Sequence, residues 1–507
     1  MDWKKINRRD FLKSLSVGVA GVPFILKSGV SLAQMGGGGA SVIDPPPGNG
    51  FQDPVAMPLI RNGILVDVNL EAKIAPVNIN GVTANLLTYN GYYPAPTISV
   101  KRGDILRVKF TNSLPVTTQT NTLGYQKNIT NLHTHGWHVS PQEPGDAVLM
   151  EILPGQSYDY QYDTSLQEGG TLNYYHPHKH GLVAEQVWGG LAGALVVEDD
   201  ALEAPLAGYE THTLVLKDIS LSNGGPAAFS TMDYQNGKEG NIITVNGQVN
   251  PILSIQPGQV QRWRILNSGN ARFYNLAFAN NQGGAMYLAG TESGLLDKPY
   301  PRTQILLSPG ERVEVLVQAG STPGSFKFLS LPYSRGGMGG MAGTLAQITL
   351  LTLSVQGTAA SDALPAVINP NAARLNLDTT SFPRRTLNLS MGQMKAYING
   401  EAYQDGNPYT ITSNPGTYEV WVVNNQTNLD HPFHQHTNAA QILALTGADA
   451  SYPAYASLPA WKDTVLVPKR GSVTMLVPVK DFTGTSVFHC HIVEHEDIGM
   501  LGVWQIV

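Results

Sequence analysis

The chain has 507 residues, room for two to four domains, a net charge of −6 and only 14 % charged residues. That balance argues against a nucleic-acid partner or an anionic membrane surface. Its 53 glycines and 33 prolines, with recurrent Val, Thr and Tyr runs, suit a loop-rich all-β protein rather than a helical one, and its single cysteine excludes an intramolecular disulfide.

The chain opens on Asn7-Arg8-Arg9-Asp10-Phe11-Leu12-Lys13, a twin-arginine signal, followed by an apolar stretch from Leu15 to Leu26 that is too short to span a bilayer. Ser31-Leu32-Ala33 offers a cleavage site, which makes 1–33 a signal peptide; the competing reading is an uncleaved anchor. The expectation is export by the twin-arginine machinery to the periplasm or the medium, with no membrane association afterwards. Residues 34–50, with Gly36–Gly39 and Pro45–Pro47, read as a flexible linker.

Three later segments repeat one another. Asn90-Gly91 leads through Gly103-Asp104 to Phe110-Thr111-Asn112. Asn246-Gly247 leads through Gly258-Gln259 to Ile265-Leu266-Asn267, and Asn399-Gly400 through Pro415-Gly416 to Val422-Val423-Asn424. Each Asn-Gly is a hairpin signal followed by alternating apolar residues. The period is too long for a solenoid and fits a whole β-sandwich. The sequence therefore predicts three homologous sandwiches at 51–203, 204–360 and 361–507.

Ten of the thirteen histidines, the cysteine and one methionine gather in four clusters: His133 and His135; His176 and His178; His431, His434 and His436; and His489, Cys490, His491, His495 and Met500. Two clusters fall in the first repeat, two in the third and none in the second. Binding residues from both ends of the chain must then converge between repeats one and three, with the second as a spacer. Side chains at i and i+2 of a strand share a face, so each His-X-His offers two imidazoles to neighbouring metal ions. In His489-Cys490-His491 the thiol faces the other way and is joined to both imidazoles by a short covalent path, an electron wire. His431 lies an odd number of residues from His434 and can reach the cysteine's side. With His495 and a weak axial Met500 it completes a blue-copper set, and soft Cys and Met ligands favour copper over zinc or iron. Eight histidines remain, enough for three further ions, and four one-electron centres match the four electrons that take dioxygen to water.

These clusters, their order and the threefold repeat resemble the multicopper oxidases, the family of laccases and bacterial cuprous oxidases. The resemblance covers nearly all of the chain after the signal. It implies three cupredoxin-like Greek-key sandwiches and four copper ions. His431, Cys490, His495 and Met500 would hold the type 1 ion, and His133 and His434 the type 2 ion. His135, His176, His178, His436, His489 and His491 would hold the type 3 pair. Glu496 matches the family's proton-relay glutamate, and Asp146 stands roughly where a second acid is found; its plain alternative is a turn residue after Pro144-Gly145. Asp497 is a local cap or a member of the same network, and His138 and His180 are residues that orient ligands or are structural.

The resemblance implies dioxygen as acceptor and small phenols or aromatic amines as donors. Cu(I) is the alternative donor, in a copper-tolerance oxidase, and a non-catalytic envelope copper protein is the reading from another class. The glycine-rich Arg335–Met341 run carries Met338 and Met341, thioethers suited to Cu(I), or is simply a loop. Asp430 would hydrogen-bond a phenol or orient its neighbour.

Overall fold

The computed structural model describes residues 41–337, 345–403 and 408–507. The signal segment, the start of the linker, Met338 and Met341 lie outside the described residues. Among the described residues, no helix is long and apolar enough to cross a membrane.

Six sheets pair into three sandwiches. The first sets a five-stranded sheet built on Leu65–Ile79 and Ile105–Asn112 against a four-stranded one ordered Ala95–Lys101, Gly193–Glu198, Thr171–His176, His133–His135. Val66, Val68 and Leu70 alternate inward from one sheet and meet Ile98, Val100, Leu195 and Val197 from the other. The second holds the ladder Glu210–Ile219, Val260–Asn267, Arg312–Ala319 and Gly284–Thr291. The third carries Thr417–Asn425 in one sheet and the order Leu501–Ile506, Gly484–Cys490, His431–Gln435, Thr464–Val467 in the other. Trp421 fills the space between these last two sheets, 4.8 Å from Trp504 and 5.5 Å from Phe488 between ring centroids.

The repeat has a physical basis. Asn90-Gly91, Asn246-Gly247 and Asn399-Gly400 all take positive φ at both residues, the backbone of a tight hairpin turn that favours Asn-Gly. Each asparagine also accepts a backbone N–H from the neighbouring strand: Glu71 to Asn90 at 2.7 Å, Val215 to Asn246 at 2.7 Å, Asn388 to Asn399 at 2.8 Å. The second marker of the repeat is corrected by one residue. Asn112, Asn267 and Asn425 each donate to two buried carbonyls and accept the N–H two residues on, so the third equivalent is Asn425 rather than Asn424.

The linker expectation also needs correction for its described part. Ser41–Ile43 is a strand parallel to Ala346–Ile348 of the second sandwich, and Gly48 donates to the Asn250 carbonyl at 2.8 Å. A proline-rich composition predicts chain stiffness, not whether an open sheet edge will recruit it.

Among the described residues, three short α-helices interrupt the strands: Val183–Gly189, Thr231–Asn236 and Val493–Asp497. The first begins without a side-chain cap of its own. Its opening N–H groups are taken by Asp497 of the third sandwich, which accepts from Gly181 at 2.6 Å, Val183 at 3.3 Å and Ala184 at 2.8 Å. Asp497 is therefore a cap, and one that joins the two ends of the chain.

Candidate metal centre

His133–His135 pairs antiparallel with Thr171–His176, which sets His133 opposite His176. In the third sandwich His434 stands opposite His489 and Phe433 opposite Cys490. Strand alternation then sorts the side chains. All ten clustered histidines and Cys490 are buried and fall into compact groups: His133 with His135 and His434, His135 with His176 and His491, His178 with His436 and His489, and His431 with Cys490 and His495. The first three groups adjoin one another between the first and third sandwiches. The fourth lies on the opposite side of the His489–His491 strand end, reached only by the cysteine.

In the fourth group Cys490 Sγ is 3.4 Å from His431 Nδ1 and 3.7 Å from His495 Nδ1, and the two nitrogens are 3.2 Å apart. Burial pushes the Cys490 thiol up and His431 down to about 3. Two neutral imidazoles aimed at one thiol in a dry pocket suit a soft cation, which would hold the sulfur as thiolate. Met500 is fully buried beside them, with its carbonyl accepting from the Cys490 N–H at 3.0 Å and its own N–H donating to the His495 carbonyl at 2.9 Å.

The larger pocket has the same character. The Nε2 atoms of His133, His135, His176 and His434 and the Nδ1 of His491 are buried with no hydrogen-bond partner. Such orphaned nitrogens are costly unless something else occupies them. His178 and His436 each bring Nε2 to 3.1 Å from His489 Nε2. Burial, followed by the neighbouring imidazoles, holds His133, His178 and His436 well below the ordinary histidine range, and they are neutral, as metal ligation requires.

The outward nitrogens are fixed by a second layer. His133 Nδ1 lies 2.7 Å from Asp146 Oδ2, and Asp146 also accepts from the Thr134 N–H at 2.9 Å. Burial pushes Asp146 up to about 7. Glu496 places one carboxyl oxygen 3.2 Å from His489 Nδ1 and the other 3.5 Å from His178 Nδ1, and burial, with Asp497 beside it, raises its carboxyl well above the usual range. Both acids named from sequence thus sit against the histidines, and Asp146 is more than a turn residue. His434 Nδ1 lies 2.9 Å from the Asp463 carbonyl. His431 Nε2 is 2.8 Å from Thr427 Oγ1. His138 instead bridges the Thr437 carbonyl and Asp481, both at 2.7 Å, and orients no clustered histidine directly.

Sequence reasoning missed Asp463, Thr427, Tyr174 and Arg312. Tyr174 Oη lies 2.6 Å from His491 Nε2. Arg312 comes from the second sandwich, so that unit is not a mere spacer. The one available signal was a charged residue opening the apolar alternation Val313, Val315, Val317. Asp430 is buried with both oxygens taken, by Tyr333 Oη and the Lys469 N–H at 2.7 Å each, so it braces the segment before His431 rather than presenting a carboxylate to a phenol.

Three sandwiches enclosing neutral imidazoles beside a buried thiol define a class of copper proteins. Residues 71–202, 209–348 and 372–507 each match the multicopper oxidase family, and the chain belongs to that family. It is a copper-dependent oxidoreductase that uses dioxygen as acceptor. It is 29 % identical to multicopper oxidase mco of Staphylococcus aureus, over 83 % of this chain and 84 % of that protein. It is 26 % identical to a laccase of Bacillus subtilis, over 82 % and 88 %. Among solved structures, a multicopper oxidase from Campylobacter jejuni described as a metallo-oxidase superposes with a TM-score of 0.77 at 26 % identity, covering 92 % of this chain and 98 % of that one.

Proposed function

We propose that this chain is a laccase-type oxidase of four coppers that takes single electrons from small phenols or aromatic amines and reduces dioxygen to water. His431, Cys490, His495 and Met500 hold the type 1 ion, and His133 and His434 the type 2 ion. His135, His176 and His491 hold one type 3 ion and His178, His436 and His489 the other. Copper ions held there would supply reversible one-electron chemistry.

The observation that carries this reading is the Cys490 connection. The cysteine that meets His431 and His495 is covalently continuous with His489 and His491, which enter two separate histidine groups. Electrons gathered on one side have a short bonded path to both. The histidines at its end are buried, so the path ends away from bulk solvent. Dioxygen reduction also consumes four protons, and Glu496 and Asp146 are the residues placed to hold them. Glu496 spans His178 and His489, while Asp146 lies against His133, where burial raises its carboxyl to about 7.

One observation favours a second reading, a cuprous-ion oxidase for copper tolerance. The Gly336–Leu429 bridge and the Gly337 N–H to the Asn428 carbonyl at 3.0 Å set the two glycines that precede Met338 across the segment that leads into His431. The complete ligand set and the family's oxidase activity set aside the non-catalytic envelope copper protein. Export by the twin-arginine machinery to the periplasm or beyond belongs to both and rests on Arg8 and Arg9.

Dioxygen uptake by the copper-loaded chain, with a methoxyphenol compared against Cu(I) held in a weak chelator, tests the choice. Faster uptake with the phenol supports the laccase reading; faster uptake with Cu(I) replaces it with the second, and no uptake with either would overturn both.

A further inference from the structure

We propose that Arg312, from the sandwich that carries none of the clustered histidines, is a positioning residue for the larger histidine pocket, fixing His135 and His434 through a buried pair with Asp463. The guanidinium is fully buried and all its donors are engaged. Nη1 and Nη2 make a forked pair with the two Asp463 oxygens at 2.8 and 2.6 Å. Nε donates to the Leu172 carbonyl at 3.1 Å, Nη1 to the Gly310 carbonyl at 2.9 Å and Nη2 to Asn173 Oδ1 at 2.8 Å. The same Nη1 abuts His135 Nδ1 at 3.1 Å.

One fork therefore touches all three sandwiches. Leu172, Asn173 and His135 belong to the first, Gly310 and Arg312 to the second and Asp463 to the third. Asp463 passes the constraint on. Its carbonyl meets His434 Nδ1, and its carboxylate accepts from Thr464 Oγ1 at 2.7 Å. The stacked rings of His135 and His434, 3.7 Å between centroids, are thus held from outside by one ion pair. Both Asp463 oxygens face the guanidinium in the two-pronged arrangement of an arginine–carboxylate ion pair. A forked arginine–carboxylate pair in a dry site has one geometry, which a lysine's point charge would not impose.

Gly136 shows how closely the pair is fitted. It follows His135 directly and has φ of +96°. A Cβ there would collide with Arg312 Nη2, Asn173 Oδ1 and Asp463 Oδ2. The turn after the first His-X-His is hollowed for the fork.

The test uses the full chain loaded with copper, as wild type, Arg312→Gln, and Arg312→Gln with Asp463→Asn. Copper per chain and the type 2 electron paramagnetic resonance hyperfine splitting are read against type 1 blue absorption as the internal measure of folding. Arg312→Gln should keep the blue absorption, weaken copper binding in the larger pocket by roughly 10- to 100-fold and alter the type 2 splitting. The double variant removes both charges, so it should fold even if the single one does not, and should still show altered splitting. Wild-type copper content and splitting in either blue variant would overturn the inference. A wild-type chain that binds copper without any type 2 signal would overturn the copper assignment itself along with it.

Discussion

Phe433 faces Cys490 across one antiparallel rung, next to the rung where His434 faces His489. That one-residue offset is what separates the sulfur from the imidazoles while keeping them bonded along the chain. Cys490→Ser should remove the blue absorption, one copper per chain and dioxygen uptake together, and leave the type 2 signal in place. Visible absorption, elemental analysis and an oxygen electrode check this. Substrate oxidation that survives with the sulfur gone would sink the proposed electron path.

Gly136→Ala tests the hollow behind His135. Positive φ and a collision with the buried ion pair act together, so the expected cost is about 3 kcal/mol or more. Thermal unfolding should show a markedly lower midpoint than wild type. An unchanged midpoint would mean the Arg312–Asp463 fork can shift aside freely.

Asp497→Ala removes the cap on Val183–Gly189 and leaves three N–H groups unsatisfied in a buried place. The expected loss is about 2 kcal/mol. Because the contact is between the two ends of the chain, hydrogen exchange should rise at Gly181, Val183 and Ala184 as well as around residue 497. Faster exchange confined to 493–497 would show the cap to be energetically idle.

Metal removal should be visible in stability. The orphaned nitrogens of His133, His176 and His434 would gain partners when ions are bound, so copper should bind the folded chain more tightly than the unfolded one. At ion concentrations 100 times the dissociation constant each site adds about 3 kcal/mol. Calorimetry of copper-free and copper-loaded protein should show a clearly higher midpoint for the loaded form, and coincident midpoints would contradict a pocket built for the ions.

Lys217, which is not one of the clustered residues, provides a pH test. Its ammonium is buried, donates to the Ser268 carbonyl at 3.1 Å, and burial lowers it to about 8 against the opposing pull of Asp218 and Glu494. A base depressed on folding binds fewer protons folded than unfolded between about 8 and its ordinary value, so stability rises with pH across that window. Below it the charged form costs the fold about 3 kcal/mol relative to a solvated lysine. Lys217→Met should thus be more stable than wild type at pH 7, with the advantage shrinking as pH approaches 10. A constant difference in unfolding midpoint across that range would reject the buried-charge account.

The sequence exposed the ligand set because its logic is local. His-X-His and His-Cys-His encode their faces by strand period alone, and Asn-Gly encodes its turn by backbone sterics. Glu496 was legible only through the family resemblance, which places an acid directly after His495. Arg312 and Asp463 were not, since the histidines they meet lie tens to hundreds of residues away and nothing in their immediate neighbours announces one; Tyr174 stands two residues before His176 and stacks on it, but its hydroxyl meets His491 at the far end of the chain. Thr427 stands only four residues before His431, but a bend between them, rather than strand period, turns its hydroxyl to the ring. The apparent spacer was misread because a unit without ligands carried no local signal of its role, although a buried arginine at the head of an apolar strand was the trace it left. Residues 41–50 were misread for a related reason, because composition reports what a segment does alone and not which edge it finds.

The Asp497 cap has a consequence for biosynthesis. The helix it completes is made more than 300 residues earlier in synthesis, and the histidines near that helix wait equally long for their counterparts. A ribosome-bound chain lacking its final residues holds half a pocket with an uncapped helix beside it. Metal acquired at that stage would meet an incomplete ligand set, so faithful loading has to follow closure of the whole chain, and any factor that delays closure also guards the pocket against the wrong ion.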